Sequence, residues 1–183
     1  PLSEGFQSNA FVPNNWTLSN PDNDDTWQRT TTTGGYAASS ASAFIDNYTD
    51  DFRGNKDALI TPIYDFSTTS GAQLSFDVAY AQYNINYSDT LVVLAATGCS
   101  DNFIEIWRMG GDDLSTAPDN TNAFTPNASE WRTEIIDLST YQGQTAAQFM
   151  FQNISGWGNN LYLDNINITT GTSSAPTPNF SAS

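Results

Sequence analysis

Asp164 sets the first chemical question. It lies inside LYLDNINI (Leu161–Ile168), where Leu161, Leu163, Ile166 and Ile168 read as the apolar part of a strand. A carboxylate among such residues costs several kcal/mol unless something holds it. Only five basic residues, Arg29, Arg53, Lys56, Arg108 and Arg132, stand against 20 acidic ones, so an arginine partner is scarce. Two holders remain: backbone N–H groups, or a hard cation. Ca²⁺ gathers about six to eight oxygens from carboxylates, amides and carbonyls, and this chain is rich in all three. Cation binding at Asp164 is the expectation. A second acidic stretch, NPDNDD (Asn20–Asp25), has the density for another ion. It lacks an EF-hand's glycine and final glutamate, and a solvated turn is the preferred reading there.

Catalytic chemistry is narrowly bounded. The chain has no histidine, which excludes a Ser-His-Asp triad, a Cys-His dyad and an HExxH zinc site within it. Gly34-Gly35 and Gly110-Gly111 read as turn glycines. A carboxylate pair is the remaining option, from Glu105 and EWRTE (Glu130–Glu134). On a strand Glu130, Arg132 and Glu134 share one face. Jelly-roll glucanases place an acid where Arg132 stands, so a face that pairs its own charges explains the pattern and the chain reads as non-enzymatic.

Binding chemistry is more promising. Trp27, Trp107, Trp131, Phe76, Phe149 and Phe151 fall in strand patterns and are expected in the core. The exceptions lie in loops. AQYNINYSD puts Tyr83 and Tyr87 beside Asn84 and Asn86, and SGWGNN puts Trp157 between glycines with Asn159 nearby. Ring faces stack on sugar C–H groups while amides bond hydroxyls, so these six residues are the candidate ligand set. A tryptophan that plugs the end of a sandwich is the structural alternative.

These residues need elements to hold them. LSFDVAYA (74–81), TLVVLAA (90–96), FIEIWRM (103–109), WRTEIIDL (131–138), AQFMFQNI (147–154) and LYLDNINI (161–168) are short and β-branched or aromatic. Turn-forming stretches separate them, and no segment keeps a 3.6-residue apolar period. The pattern predicts an all-β protein, a jelly-roll β-sandwich of two antiparallel sheets. Earlier in the chain, strands are expected around 27–33, 36–45 and 58–67. Residues 1–170 form one domain on this reading. The Ser/Thr/Pro-rich stretch 171–183 reads as a linker.

Composition limits the partners. The net charge of −15 argues against nucleic acid and anionic membranes, both of which need positive patches. No apolar run is long enough to span a bilayer. The single Cys99 permits no intrachain disulfide and reads as a small turn or core residue. Pro1 follows no signal peptide, which suggests a mature or excised piece of something larger. N-x-S/T triplets occur at Asn15, Asn47, Asn86, Asn127, Asn153 and Asn167, and in a chain this rich in Asn, Ser and Thr chance accounts for most of them.

The order of several stretches carries a resemblance. GFQ…FVPNNW, NPDNDDTWQRT, GGYAA, KDALITPIYDFS, LSFDVAYA, DTLVVLAATGCSDNF and LYLDNINI together resemble the MAM-like, cleaved-adhesin (choice-of-anchor J type) jelly-roll domains of secreted Bacteroidetes proteins, over about residues 4–169. APTPNFSAS is similar to the start of a following PKD domain. The resemblance implies a non-catalytic, Ca²⁺-stabilised adhesion module, secreted or at the cell surface. It would be covalently joined to neighbouring domains, such as a metallopeptidase, and would bind surface carbohydrate or extracellular protein. It also implies the Ca²⁺ ligands: Gln7 in place of a glutamate, Asp57 and Asp164, with Asp46 or Asn47 completing the shell and Glu4 as the substitute for the missing acid. A structural spacer without a ligand is the alternative, and a jelly-roll glycosidase a more remote one.

Overall fold

The alternation in AQFMFQNI is the plainest link from sequence to structure. Ala147, Phe149, Phe151 and Asn153 are buried, and the residues between them are only half-buried. In the computed structural model, which describes residues 2–35, 39–98 and 100–172, this segment is the centre of one sheet. The strands in chain order are β1 (Leu2–Glu4), β2 (Thr17–Ser19), β3 (Gln28–Thr30), β4 (Ser42–Ile45), β5 (Lys56–Ile60), β6 (Thr69–Tyr80), β7 (Thr90–Thr97), β8 (Ile104–Gly110), β9 (Arg132–Asp137), β10 (Ala147–Ile154) and β11 (Leu161–Thr172).

They form two antiparallel sheets, ordered β3-β4-β11-β6-β9 and β2-β5-β10-β7-β8, with β1 added beside β11. This is the expected jelly-roll sandwich. The six strands expected over 74–81, 90–96, 103–109, 131–138, 147–154 and 161–168 are all present, displaced by a few residues at most. The expected strand over 58–67 stops at Ile60, because Thr61-Pro62 leaves the ladder. Of the strand expected over 36–45, only Ser42–Ile45 is a strand, and Tyr36–Ala38 lie outside the described residues. β1 and β2 are three residues each and carry no periodic signal. Cys99 and residues 173–183, including most of the expected linker, also lie outside the described residues.

The core is the layer between the sheets. Leu74, Phe76, Val78 and Tyr80 of β6 and Leu161, Leu163, Ile166 and Ile168 of β11 face Leu91, Val93, Phe149 and Phe151 of the other sheet. Phe76 packs edge-on against Phe151 and Trp107, with ring centres 5.2 and 5.3 Å apart. Trp27 is 1% exposed and belongs to the same core. Trp131 instead joins a second cluster with Phe124 and Tyr162. The apolar residues of β11 change parity, from 161 and 163 to 166 and 168. A β-bulge between Asp164 and Asn167 absorbs the change, with Asn165 at φ +48°, so both pairs reach the core.

Topology places the loops. β4, β6 and β11 lie in one sheet and β5, β7 and β10 in the other. Three of the connections that cross between the sheets are 46–55, 81–89 and 155–160. Gly54 N–H donates to Ser155 O at 2.8 Å, Ser155 N–H donates to Asn55 O at 3.0 Å, and Gly156 N–H donates to Asp89, which joins the three crossings at one end of the sandwich.

Candidate functional site

The aromatic site is built on Asp89. Its side chain is fully buried at the end of the 81–89 crossing. Oδ1 accepts N–H groups from Gly156 at 2.7 Å and Gly158 at 3.2 Å, and Oδ2 accepts from Asn159 N–H at 2.7 Å and Tyr80 Oη at 3.1 Å. Burial pushes this carboxyl up to about 6, and the three loop N–H groups and the Tyr80 hydroxyl limit the rise. The sequence serves this geometry directly. A Cβ on Gly156 would meet Ser88 O at 1.9 Å, and one on Gly158 would meet Asp89 Oδ2 at 2.3 Å. Trp157, between them, adopts φ +56°. The indole is thus fixed by a buried anion beneath its backbone.

Around Trp157 the crossings converge. Tyr48, Thr49, Tyr83, Tyr87, Trp157 and Gly158 line a cavity of about 390 Å³. Tyr87 and Trp157 stand 5.4 Å apart at 84°, and Tyr83 and Tyr87 stand 6.0 Å apart at 88°. The Arg53 guanidinium lies over both Trp157 and Tyr87, 5.4 and 5.9 Å from the ring centres. Asp51 clamps it through Nε and Nη2, both at 2.7 Å.

Of the ligand residues expected from sequence, Tyr83, Tyr87 and Trp157 come together here. Asn84 and Asn86 form the adjacent turn, where Asn84 Oδ1 accepts Asn86 N–H at 2.8 Å. Asn159 is a correction. It is 0% exposed, and its amide is consumed by Phe124 N–H and by the carbonyls of Asn120 and Asn122. Tyr48, Thr49 and Arg53 escaped sequence reasoning because they join the site from a loop about 35 residues upstream.

Of the expected calcium ligands, Gln7 and Glu4 lie beside Asp164, while Asp46, Asn47 and Asp57 lie elsewhere. Asp164 is held by backbone donors: Gly35 N–H at 2.6 Å on Oδ2 and Asn165 N–H at 2.7 Å on Oδ1. Burial raises its pKa against these donors. It sits where β11 exchanges β4 for β1 as its neighbour, and it holds Gly35 there. A Cβ on Gly35 would fall 2.2 Å from Asp164 Oδ2, so only glycine fits. Gln7 approaches the same place through Ser39 but spends its amide on Gly5 O, Ser39 and Ser40. Glu4 accepts Phe6 N–H. Asp46 belongs elsewhere and caps Tyr48 and Thr49. Asn47 exchanges two amide hydrogen bonds with Asn153.

Asp57 joins a different set. Its carboxylate meets those of Asp22 and Asp24, with one oxygen from each within 4.8 Å of the others. The NPDNDD loop is exposed at Pro21, Asp22, Asn23 and Asp25, as the turn read from sequence implies, and its Asp22 and Asp24 carboxylates meet β5 at Asp57. Asp57 is 2% exposed, yet its Oδ1 has no hydrogen-bond partner, and neither do the buried Asp24 Oδ1 and Thr26 Oγ1. Burial and the charges of Asp22, Asp24 and Asp25 push Asp57 up to about 6. No lysine or arginine among the described residues pairs with these acids; the ion pairs there are Arg53–Asp51, Arg108–Glu105 and Arg132–Glu134. An all-oxygen set with orphaned acceptors and uncompensated charge fits a hard divalent cation such as Ca²⁺ and not zinc, which favours nitrogen and sulfur.

The candidate acids of a glycosidase are dispersed. Glu105 lies on β8 in one sheet, bound to Arg108; Glu134 lies on β9 in the other, bound to Arg132; Glu130 accepts Asn127 N–H.

These features define a jelly-roll sandwich module with an acidic oxygen cluster against one sheet and an aromatic pocket at one end. No protein-family model and no curated protein matches the sequence. Solved structures do share its fold. The K1 cleaved adhesin domain of Lys-gingipain from Porphyromonas gingivalis W83 aligns over 93% of this chain and 98% of its own, at 23% identity and a TM-score of 0.66. The K3 domain of the same protein aligns over the same shares at 22% identity and 0.62. CBM27-1 of Caldicellulosiruptor saccharolyticus, solved with mannohexaose, aligns over 90% and 94% at 13% identity and 0.57. The chain therefore has the cleaved-adhesin jelly-roll fold, as the order of its motifs implied.

Proposed function

We propose that this chain is a non-catalytic, calcium-stabilised binding module that attaches a larger secreted protein to surface carbohydrate. The observation that carries this reading is the pocket. Three sheet-crossing loops bring three tyrosines and a tryptophan to one cavity, on a scaffold fixed by buried Asp89. Aromatic walls with a few polar groups suit a sugar, which offers C–H faces and hydroxyls. The fold supports it, because adhesin domains and a mannohexaose-binding module share the architecture. The acidic surface agrees with a carbohydrate or protein partner and disagrees with nucleic acid. Among the described residues no helix is long and apolar enough to cross a membrane. Calcium belongs to the scaffold: it would neutralise Asp22, Asp24 and Asp57 and pin the 20–25 loop to β5, so that binding the ion contributes to folding. A calcium-loaded sample on a glycan array should retain specific glycans, and Trp157→Ala should retain none. Retention unaffected by Trp157→Ala, or no retained glycan, would contradict the reading.

A further inference from the structure

We infer that the pocket takes a single, uncharged terminal hexose, and that Arg53 reads its hydroxyls. The inference rests on the pocket being a sugar site and goes on to the form of the sugar. Flat platforms that lie along an extended polysaccharide present their ring faces in one plane. Here the neighbouring rings stand at 84° and 88° to one another, so they are walls and not a floor. The cavity of about 390 Å³ is at the small end of the roughly 300–1,000 Å³ typical of ligand sites. Such a box accepts a chain end.

Arg53 supplies the polar half. Asp51 engages Nε and Nη2, and Nη1 has no partner among the described residues. The clamp and the contact with two rings orient the guanidinium, so its free edge is a donor beside the Tyr87 and Trp157 rings that line the cavity. Planar forks of this kind suit a pair of neighbouring oxygens. The charge of Arg53 is already matched by Asp51, and the chain carries −15 overall, so an anionic sugar gains little and is repelled.

Calorimetric titration of the calcium-loaded chain tests this. The probes are the methyl glycosides of glucose, galactose and mannose, methyl glucuronide, cellohexaose and mannohexaose. A methyl glycoside should bind within about threefold of its hexasaccharide, since internal residues add no contact. The glucuronide should bind more weakly than the glucoside. Arg53→Lys keeps the charge and loses the fork, and should weaken sugar binding about tenfold, with an unchanged melting temperature. Affinity that climbs about tenfold or more from monosaccharide to hexasaccharide would overturn the terminal-residue inference while leaving a sugar site standing. A tighter glucuronide, or full affinity in Arg53→Lys, would overturn the role of Arg53. No heat with any probe would defeat the sugar site itself.

Discussion

Replacing Asp57 by asparagine should make the protein more stable in chelator and less responsive to calcium. The carboxylate of Asp57 is displaced from 3.8 to about 6 by burial and by Asp22, Asp24 and Asp25. Two pH units of displacement correspond to about 3 kcal/mol spent on keeping the group ionised at neutral pH without a cation. Asparagine removes the charge, and its amide can donate toward the orphaned oxygens of Asp24 and Thr26. Recovery of about 1–3 kcal/mol would raise the melting temperature in EDTA by roughly 3–8 °C in a chain of this length. Calcium at a hundred times its Kd adds about 2.7 kcal/mol to a protein that binds it only when folded. The parent chain should therefore gain roughly 5–10 °C from calcium. Asp57→Asn, lacking one carboxylate, should gain less than half of that. Differential scanning fluorimetry in EDTA and in graded calcium reads both arms, and the lead of the variant in EDTA should narrow as calcium is added. A parent melt indifferent to calcium would refute the reasoning. So would a variant destabilised in EDTA, because protein donors would then be holding that carboxylate.

Asp89→Asn should cost about 2–4 kcal/mol in urea unfolding, because the amide nitrogen faces N–H donors of the 155–160 loop and leaves at least one buried and unpaired. The same pair gives a pH test. Asp89 titrates near 6 when folded and near 3.8 when unfolded, so its ionised form opposes folding. Its contribution to stability should thus grow as pH falls from about 6 to about 4 and level off below that. The difference between parent and Asp89→Asn should show this slope; a difference that is flat with pH would count against it. Gly35→Ala should destabilise by about 1–3 kcal/mol, since its methyl would collide with Asp164 Oδ2. An unaltered urea midpoint would show that Gly35 is not held against Asp164 as described.

Much of the fold could be read in advance, and the reasons are physical. β6, β7, β10 and β11 cross the core with apolar residues on alternate positions, a signal that survives any detail of packing. The parity change in β11 was present in the sequence too: Leu163 and Ile166 both reach the core only if an extra residue is inserted between them. The same extra residue puts Asp164 beside Gly35, which answers what holds it. Short β1 and β2 could not be seen, because three residues pair without defining a face. The sites were half legible. Trp157 between glycines and the tyrosines among asparagines announced loop aromatics. Arg53 and Tyr48 joined them only through the jelly-roll crossings, which no local pattern encodes. Asp57 likewise met Asp22 and Asp24 only when β2 and β5 paired.

Trp157 is the residue on which contact with carbohydrate depends. The most direct measurement is a nitrogen–proton correlation spectrum of the calcium-loaded chain, with the tryptophan indoles assigned, during titration with the glycosides that bind best. The indole signal of Trp157 should move progressively and saturate, while that of Trp27, 1% exposed in the core, stays in place. A glycoside that binds while the Trp157 indole remains still would place recognition elsewhere on the sandwich and contradict the account.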